Sequence, residues 1–256
     1  MQDLKIAFLQ FDQVWENRLA NWEKIDSFLT SLKPVDLLIL PEMFDTGFSM
    51  NITLAEEWGV DNPSFCFLRK ISAQYHVAIY TSCMVKHEGV YYNRGIFIEP
   101  NGTTKIYDKR KSFGLGGEDR YFTPGNSETI VNYLGWNLNL QICYDLRFPE
   151  LIRNRIINEK AAYDVLIYVA NWPEKRVEHW KALLKARAIE NQCYVIGVNR
   201  IGEDAIKLKY SGDSLIYDAL GKEISTANSL EGIVYSSLNF SELESIRISL
   251  PFLKDR

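Results

Sequence analysis

The chain has 256 residues, of which 46% are hydrophobic and 24% charged, a composition typical of a globular protein with a sizeable core. Its net charge of −4 provides no basic excess, so we predict binding neither to nucleic acid nor to an anionic membrane. The longest apolar runs, such as YDVLIYVA, are far shorter than a bilayer span, and the N-terminus does not resemble a signal peptide. We therefore expect a cytoplasmic protein.

The first half of the chain alternates between strand-like and helix-like patterns. Residues 5–12, KIAFLQFD, and 35–42, VDLLILPE, are typical of strands, and the amphipathic stretch 15–32 between them predicts a helix. A second helix is predicted over residues 64–75. Turn signals then separate three more predicted strands, at 77–86, 89–99 and 103–109.

The second half repeats the alternation after the strand that ends in LNLQIC. We predict a helix beginning at Pro149, a strand over 164–170, a helix over 177–191 and a strand over 194–200, followed by closing strands at 214–219 and 232–239. Buried continuous strands must be covered on both faces. The pattern therefore predicts an α/β fold, a four-layer α-β-β-α sandwich. No linker or repeat divides the chain, so residues 1–256 are expected to form one domain.

Cys143 lies where a strand pattern changes into a helix-like one. Trp136, Leu138, Leu140 and Ile142 share one face of the strand, and Cys143 falls on the other face. A buried structural cysteine would more naturally lie among the apolar positions, although a core role is the default for any single cysteine. Partners elsewhere in the chain must decide between the two interpretations.

The other chemistry-bearing residues exclude several kinds of site. The four cysteines lie far apart without a C-x-x-C pair, so we expect four free thiols. The three histidines lack the spacing of a zinc site, and no Gly-Lys-Ser/Thr follows the glycines of FGLGGED. We predict no metal and no cofactor, and we interpret residues 113–119 as a loop with unusual backbone angles.

Three segments together resemble the nitrilase superfamily of carbon–nitrogen hydrolases. They are LLILPEMFDTGF with Glu42, KIYDKRKSFGLGGEDRYFTPG with Lys109 and Glu118, and LQICYDLRFPE with Cys143. The resemblance extends over essentially the whole chain, and the three segments occur in the same order as in the family. The later stretch 169–200, VANWPEKRVEHWKALLKARAIENQCYVIGVNR, is similar to the omega-amidase branch, whose members act on 2-oxo acid amides.

The resemblance implies an α-β-β-α sandwich and a catalytic set of Glu42, Lys109 and Cys143, supported by Glu118. A neutral thiol is a weak nucleophile, so it needs a base such as Glu42 beside it. Lys109 and the backbone N–H of Tyr144 would stabilise the negative oxygen of the tetrahedral intermediate. Taken singly, each of these charged residues could equally be a solvated surface group.

The lysine segment departs from the family pattern in one position. Many relatives have histidine two residues after the catalytic lysine, whereas this chain has Lys111. We assign the catalytic role to Lys109 because it follows the Tyr-x-Lys spacing. Lys111 is then expected to lie farther from the reaction, as a supporting or surface cation.

Four residues are candidates for binding the substrate: Phe48, Asn171, Trp172 and Arg176. Asn171 and Trp172 follow a predicted strand, where pockets form in α/β folds, although Trp172 could be ordinary core. The Arg176 guanidinium could grip a substrate carboxylate, or it could be a solvated loop charge. Arg147 and Glu150 could form a structural ion pair, or either could act directly.

The resemblance to the omega-amidase branch implies an amidase for small 2-oxo dicarboxylate monoamides, such as 2-oxoglutaramate and 2-oxosuccinamate. The alternatives are another small-amide, nitrile or carbamoyl hydrolase of the same superfamily, or a binding module without turnover. The family's tendency to dimerise implies a homodimer, with residues 149–160 and 179–192 as candidate contact surfaces that could instead pack internally.

Overall fold

The computed structural model describes residues 1–256 and contains 17 strands and four α-helices. The helices are α1 (Arg18–Leu29), α2 (Pro63–Tyr75), α3 (Val177–Asn191) and α4 (Phe240–Ser249). The strands of the first half are β1 (Leu4–Gln10), β2 (Leu37–Ile39), β3 (Glu56–Glu57), β4 (Ala78–His87), β5 (Val90–Ile98), β6 (Thr104–Asp108) and β7 (Ile130–Tyr133). The remaining strands are β8 (Trp136–Ile142), β9 (Ile156–Ile157), β10 (Lys160–Ala161), β11 (Val165–Ala170), β12 (Tyr194–Asn199), β13 (Ile201–Glu203), β14 (Lys209–Ser211), β15 (Ser214–Tyr217), β16 (Glu223–Asn228) and β17 (Gly232–Leu238).

The strands form two large mixed sheets. The first has the order β17-β1-β2-β4-β5-β6, with the short β3 paired to β4. Its centre, β1-β2-β4, is parallel, and β5 and β6 extend it as an antiparallel meander. The second sheet has the order β16-β15-β12-β11-β8-β7, with β8, β11 and β12 parallel. Parallel strands are normally covered on both faces, which explains their continuous apolar sequences.

The helices cover the outer faces of the two sheets. Ile25 and Leu29 of α1 and Leu68 and Ile71 of α2 pack against one face of the first sheet. Its other face contributes to a larger core with the strands of the second sheet, which α3 and α4 also join. The layers are therefore α-β-β-α, and the predicted sandwich is confirmed.

One predicted element is wrong. No α-helix begins at Pro149; the chain instead makes a short 3-10 turn over Pro149–Leu151 and then the β9–β10 hairpin. The hairpin turns at Asn158 and Glu159, which both have positive φ angles as a two-residue turn requires. The candidate dimer surface at 149–160 is thus not a helix, whereas α4 is a helix that the sequence patterns did not predict. None of the helices is long and apolar enough to cross a membrane.

Candidate active site

The site lies where strands of both sheets end. Glu42 follows β2 and Lys109 follows β6 in the first sheet, while Cys143 follows β8 and Asn171 follows β11 in the second. The carboxyl ends of parallel strands meet at one edge of a sheet, where α/β proteins place their ligands. The two sheets therefore contribute different parts of one site.

Lys109 lies between two buried carboxylates. Its Nζ is 2.9 Å from Glu42 Oε1 and 2.9 Å from Glu118 Oε2, with a third contact of 3.0 Å to Glu118 Oε1. Burial disfavours the charged lysine, but the charges of Glu118 and Glu42 outweigh it and raise the Lys109 pKa above its ordinary value. Lys109 is therefore a permanent cation near neutral pH.

Two neighbouring residues fix the orientation of Glu42. The Asn171 backbone N–H donates to Glu42 Oε2 at 2.8 Å, and the Asn171 side-chain amide donates to the Glu42 carbonyl oxygen at 2.6 Å. Asn93 Nδ2 donates to Glu42 Oε1 at 2.8 Å and to Glu118 Oε1 at 3.1 Å. Neither carboxylate can rotate without losing several of these bonds.

Glu118 also holds the glycine-rich loop that follows Lys109. Its Oε2 accepts the Phe113 backbone N–H at 2.6 Å. Gly117, directly before Glu118, has φ +77°, a conformation that favours glycine. Glu118 thus connects this loop to Lys109.

Cys143 directly follows β8 and is the first residue of a 3-10 turn over Cys143–Arg147. Its φ is +44°, unusual for a residue other than glycine, and its Sγ is 4.0 Å from the Asn171 carbonyl oxygen. Burial and the negative charge of Glu42 raise the pKa of the Cys143 thiol well above its usual value, against the opposing charge of Lys109. The resting thiol therefore keeps its proton at neutral pH.

The Asp145 carboxylate stabilises this turn through three hydrogen bonds. It accepts the Ile142 backbone N–H at 3.1 Å, the Tyr107 hydroxyl at 2.8 Å and the Lys111 backbone N–H at 2.9 Å. Burial raises the Asp145 pKa to about 6. The side chain joins the cysteine turn to the strand end and loop that carry Lys109.

A cavity of about 440 Å³ leads to Cys143. This volume is in the usual range for a small-molecule site. The predicted substrate-binding residues Phe48, Asn171, Trp172 and Arg176 all line it, and Tyr144 does as well. Its other lining residues are Trp15, Glu16, Ser49, Met50, Asn51, Phe113, Leu115, Gly116, Arg147, Pro173, Asp204, Ile206, Leu208 and Tyr210.

Two guanidinium groups face this cavity without a carboxylate partner. Arg147 stacks on Trp172 at 4.6 Å and contacts His179 Nδ1 at 3.3 Å, and Arg176 lies 5.5 Å from the centre of the Phe113 ring. Neither takes part in an ion pair, so the suggested pairing of Arg147 with Glu150 is wrong. Desolvation lowers the Arg147 pKa, and the positive charge of Arg176 adds to the effect.

Lys111 lies apart from the charged cluster. Its Nζ is 4.8 Å from the centre of the Phe148 ring, and it contacts neither Glu42 nor Glu118. Only Lys109 therefore lies between the two carboxylates.

Sequence reasoning overlooked Asn93. It is a polar residue within the apolar strand segment VYYNRGIFI, and only 2% of it is exposed. A polar side chain on a strand that is otherwise buried is the signal that could have identified it. No group of three or more His, Cys, Asp or Glu side chains is arranged to hold a metal ion.

Comparisons with known proteins match the whole chain. A model of the carbon–nitrogen hydrolase family matches residues 5–248. Omega-amidase YafV of Escherichia coli (strain K12) is 38% identical over 259 residues, covering 100% of this chain and 97% of that protein. The 2-oxoglutaramate amidase of Bacillus subtilis (strain 168) is 34% identical over 255 residues, covering 98% and 96%.

The fold also matches that of a solved structure. A CN-hydrolase superfamily protein from Xanthomonas campestris, with an arsenic adduct in its active site, superposes with a TM-score of 0.97 at 37% identity. The match covers 100% of this chain and 98% of that one. Similarity in sequence and in fold therefore extends over the same residues.

Proposed function

Because the chain belongs to the carbon–nitrogen hydrolase family, in its omega-amidase-like branch, we propose that it cleaves the terminal amide of 2-oxoglutaramate. The close homologue 2-oxosuccinamate would be a second substrate. The products would be the 2-oxo dicarboxylate and ammonia. The names of the relatives, omega-amidase and 2-oxoglutaramate amidase, support this substrate class.

The observation that carries the proposal is a cavity that leads to a buried thiol and holds two unpaired guanidinium groups, while the Glu16 and Asp204 carboxylates that also line it are occupied by hydrogen bonds from neighbouring residues. Arg147 and Arg176 face the cavity unpaired, and Cys143 lines it together with Asn171. A guanidinium without a carboxylate partner favours an anionic ligand, which it can bind through two parallel hydrogen bonds. An amide that carries a carboxylate at its other end fits both features.

The proposed reaction begins with the neutral thiol. Glu42 takes the thiol proton as the Cys143 sulfur attacks the amide carbon, so a stable thiolate is not required beforehand. The developing oxyanion would face the Lys109 ammonium and the backbone N–H of Tyr144. Tyr144 lies in the first turn of a 3-10 segment, where N–H groups have no partner within the helix. Stabilising charge at this position is the main source of rate enhancement in such reactions.

Collapse of the intermediate completes the acylation. Glu42 returns its proton to the amide nitrogen, the carbon–nitrogen bond breaks, and ammonia leaves a thioester on Cys143. Water, deprotonated by Glu42, then attacks the thioester carbon, and the sulfur leaves with the proton that Glu42 holds. Glu118, which contacts Lys109 with both oxygens, would hold the ammonium in place throughout.

We assign recognition of the substrate carboxylate to Arg176. It follows Asn171 and Trp172 by one short loop, and Trp172 Nε1 donates to the Arg176 carbonyl oxygen at 2.8 Å. This bond ties the loop to the wall of the cavity. Phe48 and Trp172 would supply the apolar sides against which the carbon chain of the substrate packs.

We also propose a cytoplasmic homodimer. All four cysteines are free, which suits a reducing compartment. Ile189 on α3, within the candidate contact segment 179–192, is 48% exposed, so this part of the surface is open to a partner. Light scattering of the purified protein at several concentrations would measure the mass directly, and a monomer at every concentration would contradict the dimer.

The function is tested by measuring ammonia release. We expect release from 2-oxoglutaramate to exceed that from glutamine, asparagine and simple nitriles, because glutamine and asparagine place an ammonium group beside the arginines. Cys143→Ala is the matched inactive control. Preferential cleavage of a nitrile or of an uncharged amide would show instead that the protein is a different hydrolase of this family.

A further inference from the structure

Asn93 lies behind the proposed catalytic residues, in the middle of β5. Its side chain is buried, and it pairs with Met84 across the neighbouring strand β4. Its carbonyl oxygen accepts the Lys109 backbone N–H at 3.0 Å. Both hydrogens of its side-chain amide are used on the two carboxylates, which leaves no donor for a substrate.

The Asn93 amide contacts both carboxylates at once. Nδ2 donates to Glu42 at 2.8 Å and to Glu118 at 3.1 Å, which uses both of its hydrogens. This orientation is the only one available, because an ionised carboxylate accepts but never donates. Its consequence is that Asn93 Oδ1 is buried with no partner. Leaving a buried acceptor unpaired is unfavourable, so the arrangement requires a compensating benefit.

The charges of the cluster indicate what that benefit is. Two carboxylates and one ammonium lie together, so the cluster retains one excess negative charge in a buried environment. Lys109 can attract both acids but also allows them to move around it. The two N–H groups of Asn93 add a second, neutral link between the same acids.

We propose that Asn93 is a positioning residue that holds Glu42 and Glu118 on either side of Lys109 by donating one hydrogen bond to each carboxylate. The inference rests on the proposed roles of these residues in amide hydrolysis. Asn93 would act while Glu42 exchanges a proton with the thiol, when Lys109 would otherwise be drawn towards the remaining charge on Glu118.

The first test replaces the amide by an apolar group of similar size. In Asn93→Leu, Glu42 loses a donor and becomes a stronger base, so it remains ionised only at higher pH. We expect kcat to fall by about 10- to 100-fold, as for loss of a hydrogen bond to a charged group, while KM stays within about twofold. The acid limb of the pH profile of kcat/KM should move up by about one pH unit.

The second test reverses the polarity of the same group. Asn93→Asp would add a third carboxyl group, which while protonated can donate its single O–H to one of the two acids and once ionised repels both. Activity should therefore survive at acidic pH and fall as the pH rises, so the alkaline limb moves to lower pH. Opposite shifts in two variants of one side chain are not expected from a general loss of packing.

Asn154→Leu is the matched control. Asn154 is also a fully buried asparagine, but its side-chain amide donates to the carbonyl oxygens of Tyr163 and Asn191, away from the carboxylates. This variant should lose stability without any change in the shape of the pH profile. Circular dichroism and thermal unfolding would establish that each variant is folded, and Asn93→Asp keeps the test decisive if Asn93→Leu does not fold.

Alkylation of Cys143 by iodoacetamide provides a readout without turnover. Its pH dependence should shift in the same direction as that of activity, because the same proton transfer is involved. An unmodified wild-type protein that releases no ammonia from 2-oxoglutaramate would overturn the proposed function, and the alkylation profiles would still decide the role of Asn93. Profiles of unchanged shape in both Asn93 variants, with equal losses at every pH, would overturn the inference.

Discussion

Removing the Lys109 ammonium would leave Glu42 and Glu118 facing each other without a cation. The two carboxyl groups are 0% and 1% exposed, so water cannot replace the lost partner. Removing one member of a buried ion pair typically destabilises a protein by about 3–5 kcal/mol. We therefore expect Lys109→Ala to lower the free energy of unfolding by about that amount at neutral pH.

The same substitution should nearly abolish activity. Loss of an oxyanion-stabilising group usually reduces kcat on the order of 100-fold or more. Lys109→Met should behave similarly, because it fills the space but carries no charge. Without the cation, the two acids would share a proton, so both variants should become less stable as the pH rises.

Lys111→Ala is the control for this experiment. It removes a partly exposed cation that lies 4.8 Å from the Phe148 ring, a contact worth about 0.5–1 kcal/mol. Urea unfolding and ammonia release would be measured for all three variants. If Lys111→Ala were the more damaging substitution, or if Lys109→Met were as stable as the wild type, the assignment of Lys109 would be wrong.

Three further perturbations address the nucleophile, the carboxylate and the cysteine turn. Cys143→Ala should abolish ammonia release without unfolding the protein. Iodoacetamide should modify Cys143 before the other three cysteines, as measured by mass spectrometry. Equal labelling of all four cysteines would contradict the role of Cys143. Arg176→Ala should raise KM for 2-oxoglutaramate by about 10- to 100-fold and hardly affect uncharged short amides, whereas an equal loss on both would indicate a structural role. The pKa of Asp145 is raised from 3.8 to about 6, so its stabilising contribution is complete below about pH 4 and is lost as the pH rises through 6, a change of about 3 kcal/mol. Asp145→Asn should remove that dependence, and parallel stability curves for variant and wild type between pH 4 and 7 would refute it.

The layers of the fold and the ends of its main strands could be predicted because their signals are local. Alternating apolar residues identify β8 and place Cys143 directly after it, as the structure has it. The position of Lys109 directly after β6 was predictable in the same way, because the strand pattern of residues 103–109 ends there.

Features that depend on distant contacts could not be predicted in this way. The segment after Pro149 has a helix-like pattern, but the Asn154 side chain donates to the Tyr163 carbonyl oxygen and no helix forms there. Tertiary hydrogen bonds override local propensity there. Asn93 was missed because the pairing of β4, β5 and β6, not its neighbours in sequence, directs its amide to Glu42.

The division of the site between the two sheets also makes its geometry depend on how the sheets pack. Glu42 and Lys109 are attached to the first sheet and Cys143 to the second, so neither sheet alone holds all three side chains. A relative shift of the two sheets would therefore change the distances between Cys143 and the charged cluster even if every strand and helix stayed intact.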